Sequence, residues 1–179
     1  MKRKDIVKKA LKFATKAHDR QVRKYTGEPY INHTIAVARL VAKVSDDKRM
    51  EAAALLHDVV EDTDVTIEEI VREFGLFIGS LVADLTDVSK PEDGNRRMRK
   101  EMDFKHTAVS SASAKTIKLS DLIDNTSSIV GADEGFARVY MAEKERLLTV
   151  LKEGDSKLHK MASNLVKEFF KKEEMYAQI

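Results

Sequence analysis

The chain has 179 residues, of which 42% are hydrophobic and 35% charged, and it contains 2 prolines and 7 glycines. This length and composition predict one folded, helix-rich domain and exclude a disordered chain. The formal net charge of +2 gives little support to a general nucleic-acid binder, and the absence of cysteine excludes disulfides, zinc fingers and thiol catalysis. No apolar run reaches the length of a membrane span, so we expect a cytoplasmic protein.

Apolar residues recur at helical spacing almost throughout the chain, and period-two alternation is hard to find. The sequence therefore predicts an all-α fold. The first helix begins around Ile6, and the loop that follows it spans residues 23–29, where Gly27 and Pro29 interrupt the pattern. A second helix is predicted to start near His33.

The next helix is predicted to run from about Lys48 to Glu61. Thr66 begins a capping box that ends at Glu69 and starts another helix, which is predicted to continue past Gly75. The remaining predicted elements are a loop around Pro91 and Gly94, helices at 95–109 and 113–125, a loop at 126–135, and two long amphipathic helices.

The segment HDVVED, residues 57–62, interrupts an apolar stretch with four polar groups. On a helix with about 100° per residue, His57, Asp58, Glu61 and Asp62 share an arc of about 140°. Three carboxylates so close together repel one another, and burial would raise their pKa values unless a cation were present. A divalent metal removes this conflict, and a mixed nitrogen and oxygen ligand set suits manganese, iron or zinc better than calcium.

Further ligands must come from other segments. His33 lies near a predicted helix start, and Asp121 and Asn125 are four residues apart on one helical face. A site with two histidines and two carboxylates would consist of His33, His57, Asp58 and Asp121. Glu61 or Asp62, one turn further on, could hold or deprotonate a water molecule. Spacing alone leaves one alternative open, a structural histidine followed by an aspartate.

Three motifs, RKYTGEPYINHTIAVA, AALLHDVVEDT and KLSDLIDN, occur in this order. Together they resemble the HD-domain alarmone hydrolases, which include the hydrolase half of the RelA/SpoT enzymes and small stand-alone hydrolases. The resemblance implies a single-domain, all-α HD-domain helical bundle over residues 1–179. It also implies manganese-dependent removal of the 3′-pyrophosphate from ppGpp or pppGpp, which gives GDP or GTP and pyrophosphate. Because the chain stops at residue 179, we expect a hydrolase without the synthetase domain.

The resemblance implies a role for each matched residue. The metal ligands would be His33, His57, Asp58 and Asp121, and the catalytic acidic pair would be Glu61 and Asp62. The substrate-binding residues would be Arg23, Lys24, Asn125, Tyr140 and Arg97. Two positions depart from the family pattern, Thr34 after the first histidine and Leu122 after Asp121, and neither departure removes a ligand.

Other functions remain open at this level. One is an HD-domain phosphohydrolase for another nucleotide, such as NADPH or a nucleoside monophosphate, because a metal site does not by itself select a phosphate ester. Another is a catalytically silent nucleotide-binding or regulatory module. We expect a small-molecule partner and neither nucleic acid nor membrane, and the oligomeric state stays undetermined. The other histidines, His18, His106 and His159, are predicted to be surface residues.

Overall fold

The structure, a computed structural model, describes residues 3–176, and in this range it contains helices and one isolated β-bridge between Val22 and Pro29. The prediction of an all-α fold is confirmed. The helices are α1 (Arg3–Ala17), α2 (Ile31–Ala42), α3 (Lys48–Leu56), α4 (Val59–Asp62), α5 (Ile67–Phe74), α6 (Leu76–Leu85), α7 (Arg96–Val109), α8 (Ala112–Ile129), α9 (Glu134–Leu148) and α10 (Ser156–Tyr176). A 3-10 turn (Pro91–Asp93) precedes α7.

Helix α8 lies at the centre of the packing and contacts α2, α3, α6, α9 and α10. One face of α8 contributes Ile117 to an apolar cluster with the helices of the N-terminal half. Another face contributes Leu119 to a second cluster with α9 and α10. The residues of α8 are therefore held between two cores, which makes this helix a rigid base for side chains. Among residues 3–176, none of the helices combines the length and the hydropathy that a membrane-spanning helix requires.

Side-chain caps begin several of these helices. Thr66 accepts a hydrogen bond from the backbone amide of Glu69 at 3.2 Å, as the capping box predicts. Asn95 accepts from the amide of Met98 at 3.1 Å and starts the basic helix that the sequence predicts at 95–109. Local polar residues therefore determine where these helices start.

The predicted continuous helix through Gly75 is wrong, because α5 ends at Phe74 and α6 begins at Leu76. Gly75 has a φ of 87°, and its amide donates to the carbonyl of Val71 at 2.8 Å. A residue with a side chain rarely adopts this φ, so glycine permits the sharp change of direction. The break turns α6 back against α5.

The predicted loop at 126–135 is also wrong in its first part, because α8 continues to Ile129. The buried hydroxyl of Thr126 donates to the carbonyl of Leu122 at 2.6 Å, and Ile129 is buried at 8% exposure. Burial against other helices thus extends α8 to Ile129, although the polar residues after Asn125 predict that the helix ends earlier.

Gly79 allows α5 and α6 to approach closely, since a Cβ built on it would lie 2.3 Å from Cγ2 of Val71. We expect Gly79→Ala to lower the free energy of unfolding by about 1 kcal/mol, because overpacking costs about 1–3 kcal/mol and alanine's helix propensity offsets about 1 kcal/mol. Urea unfolding measures this change. Gly131→Ala is the control, because a Cβ there meets nothing within 4 Å. Equal stability of the two variants would contradict the close approach.

Candidate metal centre and active-site cleft

A break in the backbone lies at the centre of HDVVED. Helix α3 ends at Leu56, His57 and Asp58 form a turn, and α4 covers Val59–Asp62, so the predicted single helix to Glu61 is wrong. Both turn residues keep right-handed helical angles, with φ and ψ of −59° and −36° at His57. The Asp58 side chain makes no capping bond to α4 and instead accepts from the hydroxyl of Tyr30 at 2.8 Å. The turn therefore leaves this carboxylate directed toward neighbouring helices.

The four predicted metal ligands come together from α2, the α3–α4 turn and α8. Nε2 of His33 lies 3.4 Å from Oδ2 of Asp58 and 3.2 Å from Oδ1 of Asp121. Nε2 of His57 lies 3.0 Å from Asp58 Oδ2 and 3.7 Å from Asp121 Oδ1. Ligand atoms of His33, His57 and Asp58 all lie within 4.8 Å of one another. One ion could contact this group, with Asp121 at its edge.

The two imidazoles have the hydrogen-bonding pattern of metal ligands. Nδ1 of His33 lies 2.7 Å from Oδ2 of Asp124, and Nδ1 of His57 lies 2.9 Å from the carbonyl of Ala54. Both neighbours are acceptors, so in the neutral rings each Nδ1 carries the proton and each Nε2 presents a lone pair. Both Nε2 atoms are buried without a hydrogen-bond partner. Since a buried polar atom normally has a partner, the residues fit a divalent metal.

The carboxylates of the cluster favour the protonated form of both histidines. Burial opposes charge on His33, but the nearby carboxylates of Asp121 and Asp124 outweigh it and raise the pKa of His33 to about 11. Burial likewise opposes charge on His57, and Asp58 above all raises the pKa of His57 to about 9. The metal-free cluster therefore attracts protons to its imidazoles. A metal must displace these protons, so its affinity should rise with pH.

The second acidic pair lies on α4, one turn after Asp58. Glu61 accepts from the amide of Asp87 at 3.3 Å, and Asp62 accepts from Nε2 of Gln21 at 3.1 Å. Burial of the carboxylate, together with Asp87, raises the pKa of Glu61 to about 7. Glu61 as a residue is exposed, so solvent at the open side weakens this effect, but its direction suits a proton acceptor near neutral pH.

A cleft of about 290 Å³ opens beside the cluster, between the α3–α4 turn and helices α7, α8 and α9. Its charged walls contain Asp58, Glu61, Asp87, Arg96, Lys100, Asp103, Lys118, Asp121, Glu143, Lys144 and Arg146. Several cations are paired with wall carboxylates, such as Lys100 with Asp87 at 2.9 Å and Arg96 with Glu143 at 2.7 Å. An anionic group bound near the metal centre could therefore replace these carboxylates as the partner of Arg96 or Lys100.

Two of the predicted substrate-binding residues line this cleft. Asn125 donates to Oδ1 of Asp121 at 2.6 Å, and the hydroxyl of Tyr140 donates to the carbonyl of Leu122 at 3.3 Å. Arg97 is exposed and does not belong to the cleft wall, where its neighbour Arg96 lies instead.

Arg23 and Lys24 lie in the loop before α2. The Arg23 guanidinium, 11% exposed, binds Asp124, Asn125 Oδ1 at 2.9 Å and Ser128 Oγ at 2.8 Å. Arg23 therefore ties this loop to α8, where its partner Asp124 also contacts His33. Lys24 is exposed, and its Nζ lies 5.0 Å from the ring centre of Tyr25.

Sequence reasoning missed three residues of the site. Tyr30 bonds Asp58, Asp124 bonds His33, and Nζ of Lys118 lies 3.8 Å from Oδ2 of Asp121. Burial opposes charge on Lys118, but Asp121, Asp87 and Glu61 together raise its pKa. Lys118 and Asp124 each lie three residues from Asp121, so helical spacing could have identified them. The prediction that His18 lies on the surface is wrong, because it is 3% exposed.

Lys144 is a buried residue of the cleft wall, and it donates to the carbonyl of Leu122 at 3.1 Å and to Oγ1 of Thr126 at 2.5 Å. Burial lowers the pKa of Lys144 to about 8, although Asp121 opposes the change. An unfolded lysine has a pKa of about 10.4, so between these values the unfolded chain holds a proton that the folded protein lacks. The Lys144 contribution to stability therefore rises with pH across this window.

We expect Lys144→Met to show this linkage directly. The unfolding free energy of the variant relative to the parent should fall by about 3 kcal/mol as pH rises from below the folded pKa to above the unfolded one. Denaturant unfolding of the metal-free proteins at several pH values measures it. Lys152→Met, at an exposed position, is the control for loss of one positive charge. If the difference in unfolding free energy between Lys144→Met and the parent did not change with pH, the lowered pKa of Lys144 would be contradicted.

Comparison with known proteins supports a family assignment. The HD domain family matches residues 10–144. A relative from Drosophila melanogaster, named guanosine-3′,5′-bis(diphosphate) 3′-pyrophosphohydrolase MESH1, is 40% identical over 118 residues, which cover 64% of each protein. A relative from Aquifex aeolicus, named guanosine-3′,5′-bis(diphosphate) 3′-pyrophosphohydrolase, is 36% identical over 123 residues, which are 69% of this chain and 18% of that protein. The chain thus spans less than two thirds of either relative.

A solved structure has the same fold. It is described as a metazoan orthologue of SpoT that hydrolyses ppGpp, and it superposes with a TM-score of 0.83 at 28% identity, covering 91% of this chain and 94% of its own. The resemblance predicted from the three motifs is confirmed. The chain belongs to the HD-domain family, and along most of its length it is similar to the ppGpp hydrolases of that family.

Proposed function

We propose that the protein hydrolyses the 3′-pyrophosphate of ppGpp or pppGpp and releases GDP or GTP and pyrophosphate, with Mn²⁺ as its cofactor. The observation that carries this proposal is the pair of buried Nε2 atoms, on His33 and His57, which face Asp58 and Asp121 beside the cleft. The names of the similar hydrolases support the choice of substrate.

The metal would be held by His33, His57, Asp58 and Asp121. When bound, it supplies Lewis acidity toward a phosphoryl oxygen and makes water more acidic. Softer thiolate ligands are absent from the sequence, and this nitrogen and oxygen set suits Mn²⁺ among several divalent ions.

Glu61 and Asp62 carry out the proton transfer in this proposal. A carboxylate of the pair accepts a proton from the attacking water, whose oxygen bonds to the phosphorus attached to the 3′ oxygen. The bond between that phosphorus and the 3′ oxygen breaks, and the 3′ oxygen takes up a proton. Burial of the carboxylate and the nearby Asp87 raise the pKa of Glu61, a direction that makes it a better proton acceptor.

The cleft provides the substrate contacts. Lys118, beside Asp121, faces the phosphate that reacts, and Arg96 and Lys100 can exchange their wall carboxylates for further phosphates. The nucleoside would lie toward Arg23, Lys24, Asn125 and Tyr140. Arg97, outside the wall, is the weakest of the residues that the sequence suggested for phosphate binding.

The test is a substrate panel with purified protein that has been stripped of metal and reloaded with Mn²⁺. ppGpp, pppGpp, NADPH and a nucleoside monophosphate are compared, and pyrophosphate and orthophosphate are measured separately. We expect Mn²⁺-dependent release of pyrophosphate from the guanosine substrates. Release of orthophosphate from NADPH or the monophosphate alone would replace this proposal with the alternative phosphohydrolase, and no turnover with a saturated metal site would overturn both.

A further inference from the structure

The carboxylate of Asp62 has a hydrogen-bond donor that comes from a distant part of the chain. Nε2 of Gln21, in the turn after α1, donates to Oδ2 of Asp62 at 3.1 Å. The two residues are 41 positions apart, so only the folded chain brings them together. Partial desolvation of its carboxylate and the nearby Asp58 raise the pKa of Asp62, although the residue as a whole is exposed, whereas the bond from Gln21 lowers the pKa and favours the carboxylate form.

The other end of the Gln21 amide is held by His18. Oε1 of Gln21 lies 2.7 Å from Nδ1 of His18, whose ring is buried and lies 4.8 Å from the ring of Tyr30. A carboxylate can only accept, so the amide nitrogen must face Asp62 and the amide oxygen must face His18. In a neutral ring, Nδ1 of His18 must therefore carry the proton. The assignment of the proton to Nδ1 rests on the acceptor oxygen of Gln21 that faces it at 2.7 Å.

The backbone of this turn is also fixed. The amide of Gln21 donates to the carbonyl of His18 at 3.0 Å, and the amide of Tyr30 donates to the carbonyl of Gln21 at 2.9 Å. Arg20, immediately before Gln21, has a φ of 69°, in the left-handed region that a residue with a side chain rarely adopts. Such strain persists only where the surrounding structure enforces it, and it is concentrated at functional sites. The same segment carries Tyr30, whose hydroxyl donates to Asp58. It therefore contacts both Asp58 and Asp62.

We propose that Gln21, oriented by His18, is a positioning residue that fixes the rotamer of Asp62 for the reaction. This inference rests on the proposed function, because it assigns Asp62 to the reacting water. The side chain of Gln21 bonds His18 and Asp62 and does not line the cleft, so its effect on the reaction is exerted through Asp62. Its loss should lower kcat and leave KM almost unchanged, because substrate binding does not depend on it.

The main test compares Gln21→Met with the parent. Methionine keeps the length of the side chain and removes both hydrogen bonds. A hydrogen bond to a charged group corresponds to a rate effect of about 10- to 100-fold, and we expect a fall in kcat of that size. Arg20→Met is the matched control, since its side chain is 93% exposed in the same turn. Equal kcat values for Gln21→Met and Arg20→Met would overturn the proposal.

A double-mutant cycle separates positioning from a general structural effect. In an Asp62→Asn background, Gln21→Met should have little further effect on kcat, because the group it orients has already lost its function. A full additional loss in that background would overturn the proposal. Metal content and thermal unfolding of every variant are measured alongside, and a Gln21→Met variant that loses metal or stability in proportion to activity would also overturn it.

A readout without turnover distinguishes this inference from the proposed function. Long-range ¹H–¹⁵N NMR spectra of the metal-free protein report which nitrogen of neutral His18 carries the proton. We expect the Nδ1–H form in the parent and its loss in Gln21→Met, and the Nε2–H form in the parent would overturn the proposal. If the parent shows no turnover of ppGpp while the NMR result holds, the proposed function fails and the His18–Gln21–Asp62 arrangement stands.

Discussion

Substitution of both Glu61→Gln and Asp62→Asn should lower kcat for ppGpp by about 10²- to 10⁴-fold, the usual contribution of general acid–base catalysis. The two amides keep the shapes of the carboxylates but cannot accept the proton of the attacking water. Neither residue belongs to the predicted ligand set of the metal, so metal content should stay at the level of the parent. Initial rates at saturating Mn²⁺, with metal content measured on the same samples, test this.

The control for this pair is an equal change of charge elsewhere. Asp64→Asn combined with Glu92→Gln removes two negative charges at exposed positions outside the cleft wall. It should retain nearly the activity of the parent. If the Glu61 and Asp62 double variant turned over ppGpp at the parent rate with its metal bound, these residues would not have the role proposed for them.

Loss of the metal site is the second large effect that we expect. His57→Ala removes a proposed ligand whose Nε2 is buried and unpartnered, so the proposed Mn²⁺ binding and Mn²⁺-dependent activity should both disappear. Asp124→Asn removes the negative charge that faces Nδ1 of His33, and it should weaken Mn²⁺ affinity by about 10- to 100-fold. A complete loss of Mn²⁺ binding in His57→Ala and a partial loss in Asp124→Asn would distinguish a metal ligand from a residue that orients a ligand.

Calorimetric titration of the metal-free proteins with Mn²⁺ measures both affinities. A second measurement is thermal unfolding, because a ligand at 100 times its Kd stabilises the parent by about 2.7 kcal/mol, and His57→Ala should lose this gain. His106→Ala is the control, since Nε2 of His106 bonds the carbonyl of Ala83 away from the cluster. Undiminished Mn²⁺ affinity in His57→Ala would refute the proposed ligand set.

Local sequence was sufficient for most of the helices. Periodicity and short-range caps at Thr66 and Asn95 act within one helical turn, so a reader of the sequence can locate these starts. The breaks were harder to predict. Gly75 could have been accommodated within a helix, and its positive φ arises because α6 packs back on α5.

For the candidate site, too, some features follow from local sequence and others only from tertiary packing. The sequence by itself determined which polar groups interrupt the apolar stretch at residues 57–62, because residue type and spacing are local. Only the tertiary structure decided that Asp58 and Glu61 line the cleft while Asp62 bonds Gln21 outside its wall. The motif order indicated His33 and Asp121, but spacing could not show that Nε2 of His33 and Oδ1 of Asp121 lie 3.2 Å apart, and only the tertiary structure decided that distance.

The groups that orient the site depended wholly on the tertiary structure. Asp124 contacts His33 across 91 residues, and Gln21 contacts Asp62 across 41 residues. The charged neighbours of His18 in the sequence predict a surface histidine, yet packing against Tyr30 buries it. Residue type and spacing identify groups that can do chemistry, whereas burial and long-range hydrogen bonds, which determine how those groups are held, arise only when distant helices pack together.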